Sequence, residues 1–232
     1  MPKVVLVPGF TQTGASWSGV RAVLRETCDV VTLEVPRRPT FEETAHALGE
    51  HGGRAVYAGY SMGGRLVLRL ALDRPELVEG IVLVSATAGI ADPHERAERV
   101  AADEALAQSI ERDGVDAFLT RWLAQPMFAG VPRDAPGLAD RRLLTAPFLA
   151  HCLRVLGTGA MEPMWDRLGE LAAPVAFVTG TEDAKFEQLA LAMLRHVTDE
   201  VVHVRIEGGH ALPLEQPAVL GGFIAAFAAE HG

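Results

Sequence analysis

Apolar residues in this chain fall into short unbroken runs, separated by longer stretches in which apolar positions recur every three to four residues. Val4-Val5-Leu6-Val7, Val30-Val31-Thr32-Leu33-Glu34-Val35, Arg54-Ala55-Val56-Tyr57-Ala58 and Gly80-Ile81-Val82-Leu83-Val84 are of the first kind. Runs of this length without polar alternation predict strands buried on both faces, as in a parallel sheet. Between them the pattern is helical. One helix is predicted from a Ser16 cap to about Glu26. A second opens at Thr40 with Glu43, a capping box, and closes at Gly52-Gly53, and a third covers Arg65 to Leu72. Strands alternating with helices, joined by right-handed crossovers, predict an α/β fold: a mostly parallel sheet covered by helices on both faces.

After the fourth strand the alternation stops. Residues 86–171 read as helical throughout. Asp92-Pro93-His94-Glu95 is a capping box with proline at the first helical position, opening a helix expected to turn Ala97, Val100, Ala101 and Ile110 inward. Phe118, Trp122, Leu123 and Phe128 mark a second helix and its exit. A third runs from Arg141 to Leu156, with a break at Pro147. The sheet resumes at Pro174-Val175-Ala176-Phe177-Val178-Thr179. A helix through His196, a strand from Val201 to Ile206 and a last helix from about Pro217 follow. The expected organisation is a core of residues 1–85 and 172–232, with 86–171 inserted as a lid over the carboxyl ends of the strands, where such sheets bind ligands.

Composition narrows the function. A chain of 232 residues, 49% of them hydrophobic, can bury a full core. Its formal net charge of -9 speaks against general affinity for nucleic acid or an anionic membrane, though a few placed cations would suffice for a small anionic substrate. Cys28 and Cys152 are too few for a disulfide framework or a zinc site. There is no H-E-x-x-H, and the glycines near Ser61 do not form G-x-G-x-x-G, so neither a metal nor a dinucleotide cofactor is expected. The sequence shows no charged-then-apolar leader and no run of about 18 apolar residues, which predicts a cytoplasmic protein.

The chemistry gathers around one stretch. Gly59-Tyr60-Ser61-Met62-Gly63 stands between a strand and a helix, the setting of a nucleophile elbow. So sharp a turn forces Ser61 into a strained backbone and leaves no room for side chains at positions 59 and 63. A serine hydroxyl needs a neighbouring base before it reacts. Two later loops, each following a strand, carry Asp183 and then His210. Parallel strand ends lie side by side, so these can converge on Ser61. His210 follows Gly208-Gly209, which lets its loop bend. Asp183 is preferred to Glu182 as the partner of the imidazole because the shorter side chain is usual there. Backbone N–H groups of Phe10 and Met62 are the expected oxyanion hole.

The order Ser, Asp, His is that of the α/β-hydrolases. Within that fold the chain resembles the menaquinone-pathway lyases, the 2-succinyl-6-hydroxy-2,4-cyclohexadiene-1-carboxylate synthases. The similar stretches are Gly59-Tyr60-Ser61-Met62-Gly63-Gly64-Arg65, Trp122-Leu123-Ala124-Gln125-Pro126-Met127-Phe128, Gly180-Thr181-Glu182-Asp183-Ala184-Lys185-Phe186 and Gly208-Gly209-His210. The chain departs from that pattern at Pro8, where the fold often has His, at Thr181, where Glu is common, and in Ser85-Ala86-Thr87-Ala88-Gly89, which lacks a proline. The resemblance implies a carbon-carbon lyase in which a Ser61-His210-Asp183 triad removes a substrate proton and pyruvate is then eliminated. It implies substrate contacts from Tyr60, Arg65 and Trp122, and lid arginines that hold substrate carboxylates, for which Arg96, Arg99, Arg121 and Arg154 are candidates. Arg65, one turn beyond Ser61 on the same helix face, suits either a carboxylated substrate or a salt bridge to the lid. The alternative activity is a serine hydrolase acting on an ester or on a carbon-carbon bond beside a ketone. A binding protein without turnover is a third reading, against which the intact Ser, Asp and His speak.

Overall fold

The apolar runs become β1 (Lys3–Val7), β2 (Asp29–Thr32), β3 (Ala55–Tyr60), β4 (Val78–Val84), β5 (Val175–Gly180) and β6 (Val201–Ile206) in the computed structural model, which describes residues 1–198 and 200–232. They form one sheet in the order β2-β1-β3-β4-β5-β6. Every pairing is parallel, so the sheet is parallel throughout rather than mostly so. For the inner strands the unbroken apolar runs have the cause expected of them; β2, at the edge of the sheet, ends at Thr32, short of the expected Val35, and has no fully buried residue. In β1, Val5 and Val7 pack into the hydrophobic cluster on one face, and Val4 and Leu6 into the cluster on the other. All four are fully buried, each contributing on the order of 1.5–3 kcal/mol by leaving water.

Helices α2 (Phe41–Gly52), α3 (Met62–Asp73) and α7 (Ala184–Leu194) supply the first face through residues such as Leu48, Leu66, Leu70 and Ala190. Helices α1 (Ser18–Leu24) and α9 (Pro217–His231) supply the second through Val20, Leu24, Leu220 and Ile224. Thr40 caps α2 as expected, its hydroxyl accepting from the Glu43 N–H at 3.1 Å. The first helix starts differently from expectation. Thr13, not Ser16, caps a 3-10 turn over Gly14–Trp17, and α1 begins only at Ser18. The Ser16 hydroxyl is occupied elsewhere, donating to the Thr13 carbonyl and to Gln12.

Residues 93–170 carry no strand. They contain α4 (Pro93–Asp113), α5 (Val115–Leu123) and α6 (Ala146–Leu156), with 3-10 turns at Pro126–Phe128, Asp140–Leu143 and Trp165–Glu170. Pro147 does not break the third helix: it sits in the first turn of α6, where its missing N–H has no intrahelical role, and Thr145 caps that turn. The inward face of α4 is also not the one expected. Asp103, Ala107 and Ile110 are buried, whereas Val100 is 45% exposed and Ala97 and Ala101 face solvent. Charged residues on the buried stripe, Arg99 and Asp103, conceal it from a reading based on apolar periodicity. Ala107 and Ile110 join Phe118, Leu119, Leu149, Ala150 and Leu153 in a third cluster, separate from the two that flank the sheet.

The block is fastened to the sheet layer at its far end. Asp73, the last residue of α3, accepts hydrogen bonds from Arg167 at 2.8 Å, from Arg69 at 2.7 Å and from His46 of α2 at 2.9 Å.

Candidate active site

In a parallel sheet all carboxyl ends lie along one edge, and there the loops after β1, β3, β4, β5 and β6 meet. Three non-glycine residues on that edge have left-handed backbone: Thr11 (φ 66°) after β1, Ser61 (φ 52°) after β3 and Ser85 (φ 47°) after β4. Each costs on the order of 1–3 kcal/mol and persists only because its surroundings impose it. At Ser61 the cause is plain. A Cβ on Gly63 would run into the backbone carbonyls of Val7 and Pro8, and one on Gly59 would come within 2.5 Å of the Gly63 carbonyl. The helix therefore starts hard against two strands, and the only path from β3 into α3 passes through a kinked residue 61. Ser61 is the N-cap of α3, yet its side chain makes no capping bond. Its hydroxyl turns to His210 instead, at 3.3 Å from Nε2.

The opposite ring nitrogen, Nδ1, lies 2.7 Å from Asp183 Oδ2. A carboxylate only accepts, so Nδ1 carries the hydrogen and donates. Nε2 of the neutral ring then accepts from the Ser61 hydroxyl. Both side chains of this hydrogen-bonded pair are enclosed, His210 at 3% and Asp183 at 9% exposure. The imidazole sits among Phe186 (centroids 4.4 Å apart), Tyr60 (5.3 Å) and Phe128 (6.4 Å), which limit its rotation. Glu182 is exposed on the same loop and makes no contact with the ring; its N–H bonds the Gly208 carbonyl.

Ser61 and His210 open onto a cavity of about 460 Å³ that Phe10, Met62, Tyr60, Arg65 and Trp122 also line. The expected site residues are thus brought together. Phe10 is held by aromatic contacts with Trp122 (5.3 Å) and Phe118 (6.1 Å), tying the loop after β1 to α5. Met62 supplies the first N–H of α3, at the positive end of the helix dipole.

Arg65 is 7% exposed. One of its nitrogens, Nη1, donates to the Leu156 carbonyl at 2.7 Å and to Met161 Sδ at 3.2 Å. Burial, with Arg99 nearby, pushes its pKa down to about 10, partly opposed by Asp103, so it remains charged at neutral pH. Among the described residues Arg65 forms no salt bridge to the helical block, which it contacts through a backbone carbonyl and a thioether. Of the four candidate arginines only Arg99 lines the cavity, bonded to Asp103 at 2.8 Å. Arg96 pairs with Glu162, Arg121 with Asp113, and Arg154 with Glu104 and Glu111, all on the outer surface.

Other participants carry little sequence signal. Arg141 is 1% exposed, donates from Nη1 to Thr11 Oγ1 at 2.7 Å, and leaves Nε and Nη2 without partners. It lies in an irregular segment where no periodicity singles out one arginine from its neighbour. Gln12 accepts from the Gly9 N–H at 3.3 Å and the Ser16 hydroxyl at 3.1 Å, bracing the loop that carries Phe10. Cys152 also lines the cavity, and burial pushes its thiol up to about 12 despite nearby Arg65, so it is protonated and unreactive.

The chain is 34% identical, over 73% of its length, to a Bacillus subtilis (strain 168) protein bearing the provisional name 2-succinyl-6-hydroxy-2,4-cyclohexadiene-1-carboxylate synthase. It is also 34% identical, over 56% of its length, to the synthase of that name from Serratia proteamaculans (strain 568). The aligned regions span 64% and 52% of those two relatives. The structure of MenH from S. aureus superposes with a TM-score of 0.89 over 99% of this chain and 94% of that one, at 24% identity, which is a likeness of fold. The alpha/beta hydrolase family model matches residues 4–221, and the chain belongs to that family.

Proposed function

We propose that the protein is the lyase of menaquinone synthesis that releases pyruvate and forms 2-succinyl-6-hydroxy-2,4-cyclohexadiene-1-carboxylate. The observation that carries this reading is the placement of Arg65 in the cavity that holds Ser61 and His210. Nη1 is anchored to the protein, while the remaining donors of a charged guanidinium have no protein partner. A desolvated cation one helical turn from the reacting serine selects a carboxylated substrate. An ordinary ester would leave that charge unanswered. Ser61, Asp183 and His210 are the catalytic residues in this proposal. His210 takes the hydroxyl proton of Ser61, and Ser61 Oγ removes a proton beside a substrate carbonyl. The N–H groups of Phe10 and Met62 hold the charge that develops on the carbonyl oxygen. The leaving group departs as the enolate of pyruvate while the ring double bond forms, and the proton held by the His210 imidazolium is returned to give pyruvate and restore the neutral triad; no acyl-enzyme intervenes. Tyr60 and Trp122 form walls of the substrate site, and the helical block 93–170 closes it as a lid.

The test supplies the menaquinone intermediate and, separately, neutral p-nitrophenyl acetate to wild type and Arg65→Ala. Pyruvate should appear in step with the cyclohexadiene product. The loss of charge-assisted hydrogen bonds of about 1.5–3 kcal/mol in Arg65→Ala should lower kcat/KM roughly ten- to a hundredfold, with slow ester turnover barely affected. Fast ester turnover without pyruvate would replace the lyase by a serine hydrolase.

A further inference from the structure

His210 stands on a loop with no intrinsic stiffness. Gly208 and Gly209 precede it, and Gly208 has φ 140°, a conformation that side chains rarely adopt. Yet the imidazole must hold both Asp183 and Ser61, and its 3.3 Å contact with Ser61 leaves little slack. Something outside the triad has to fix the backbone.

We infer that Glu215 is the positioning residue for His210. It lies on the short helix α8 (Leu212–Glu215), five residues beyond the histidine. Its two carboxylate oxygens accept from the backbone on either side: Oε2 from the Gly209 N–H at 2.6 Å, and Oε1 from the Ala211 N–H at 2.9 Å. The bracket is closed by the reverse bond, in which the Glu215 N–H donates to the Ala211 carbonyl at 3.0 Å. Two N–H groups two residues apart, held by one rigid carboxylate, fix the Gly208–Gly209 peptide and the His210–Ala211 peptide, and so restrict the direction of the His210 Cα–Cβ bond between them. These are charge-assisted bonds, about twice as strong as neutral ones.

The other side of the loop is fixed as well. A Cβ on Gly180, at the end of β5, would collide with the carbonyls of Gly208 and Gly209. The loop is therefore pressed against β5 by its carbonyls and pulled towards α8 by its N–H groups. The helical block adds a third contact, since a Cβ on Gly130, two residues beyond Phe128, would come within 2.5 Å of Glu215 Oε2. Glu215 touches neither the imidazole nor Ser61 directly. It acts through the backbone, and displacement of a reacting group by about 1 Å costs on the order of a hundredfold.

This inference rests on the reading of Ser61, His210 and Asp183 as the reacting groups, but not on the identity of the substrate. The experiment measures the rate at which a fluorophosphonate labels Ser61 as a function of probe concentration, in the full chain and in Glu215→Gln and Glu215→Asp. A glutamine amide can accept from one of the two N–H groups but turns its own donors on the other. Aspartate keeps the charge and falls one carbon short. Both variants should lose ten- to a hundredfold in maximal labelling rate, with the half-saturating probe concentration within twofold of wild type, at a temperature where circular dichroism shows them folded. A carboxylate that merely stabilises the loop would lower Tm and leave the labelling rate of folded protein alone. A rate within twofold of wild type in either folded variant overturns the inference; if Glu215→Gln fails to fold, Glu215→Asp is read alone. Wild type that resists labelling altogether overturns the triad reading and this inference with it.

Discussion

Ser61 shows what one residue can owe to its neighbours. Its left-handed φ and its bond to His210 come from two glycines, one admitting the carbonyls of Val7 and Pro8 and the other the first turn of α3. Three side chains linked by hydrogen bonds act as a unit, so losses should not multiply. Ser61→Ala and His210→Ala are each expected to lower turnover by on the order of a thousandfold or more, and the double variant by no more than the worse single. Both should stay folded, because neither side chain supports a core cluster. Single-turnover rates of the three variants, with their melting curves, test this; a double variant whose loss equals the product of the singles would contradict it. The hydrogen-bonded chain of three was legible in the sequence because its chemistry demands particular residue types at strand ends. Glu215, Gln12 and Arg141 were not. Each acts on a backbone amide or hydroxyl brought close only by the fold, and an acid or amide in a loop has no pattern that announces such a partner.

Among elements, the strands and the core helices were readable because burial on both sides removes polar residues from them. The helical block was readable in kind but not in orientation. On α4 the inward stripe carries Arg99 and Asp103, since it faces a cavity as well as a core, and apolar periodicity found Ile110 but also pointed to Ala97, Val100 and Ala101, which face solvent. The join between α2, α3 and the turn at Trp165–Glu170 makes a further prediction. Burial alone would raise the Asp73 carboxyl, but hydrogen bonds from Arg167, Arg69 and His46 outweigh it and hold its pKa at about 2, below the usual 3.8. A depressed carboxylate stabilises the fold above its unfolded pKa and ceases to do so as pH falls through the folded value. The difference of nearly two pH units corresponds to about 2 kcal/mol. Urea unfolding of wild type and Asp73→Asn should therefore differ by about that amount above pH 4 and converge towards pH 2. A gap that persists undiminished at pH 2 would exclude this origin.

At the scale of the whole molecule, the sheet with its helices and the helical block meet along one edge, where the cavity lies. The block keeps Ala107, Ile110, Phe118, Leu119, Leu149, Ala150 and Leu153 in a core of their own, while Cys152, Leu156, Met161, Met164 and Leu168 pack into the first sheet cluster and Phe128 into the second. The outer part of the block, α4 and α5, keeps its buried apolar residues in that small cluster, which makes it a unit of lower opening free energy. Unfolding should then proceed in two stages. Amide hydrogen exchange is expected to show α4 and α5 opening together, before β1, β3, β4 and β5, and a bound substrate to slow that first opening specifically. Uniform exchange across both parts would show a single cooperative unit. The practical consequence concerns how the protein fails: on warming or in mild denaturant, activity should disappear while the sheet is still intact, and return on cooling without any need to rebuild it.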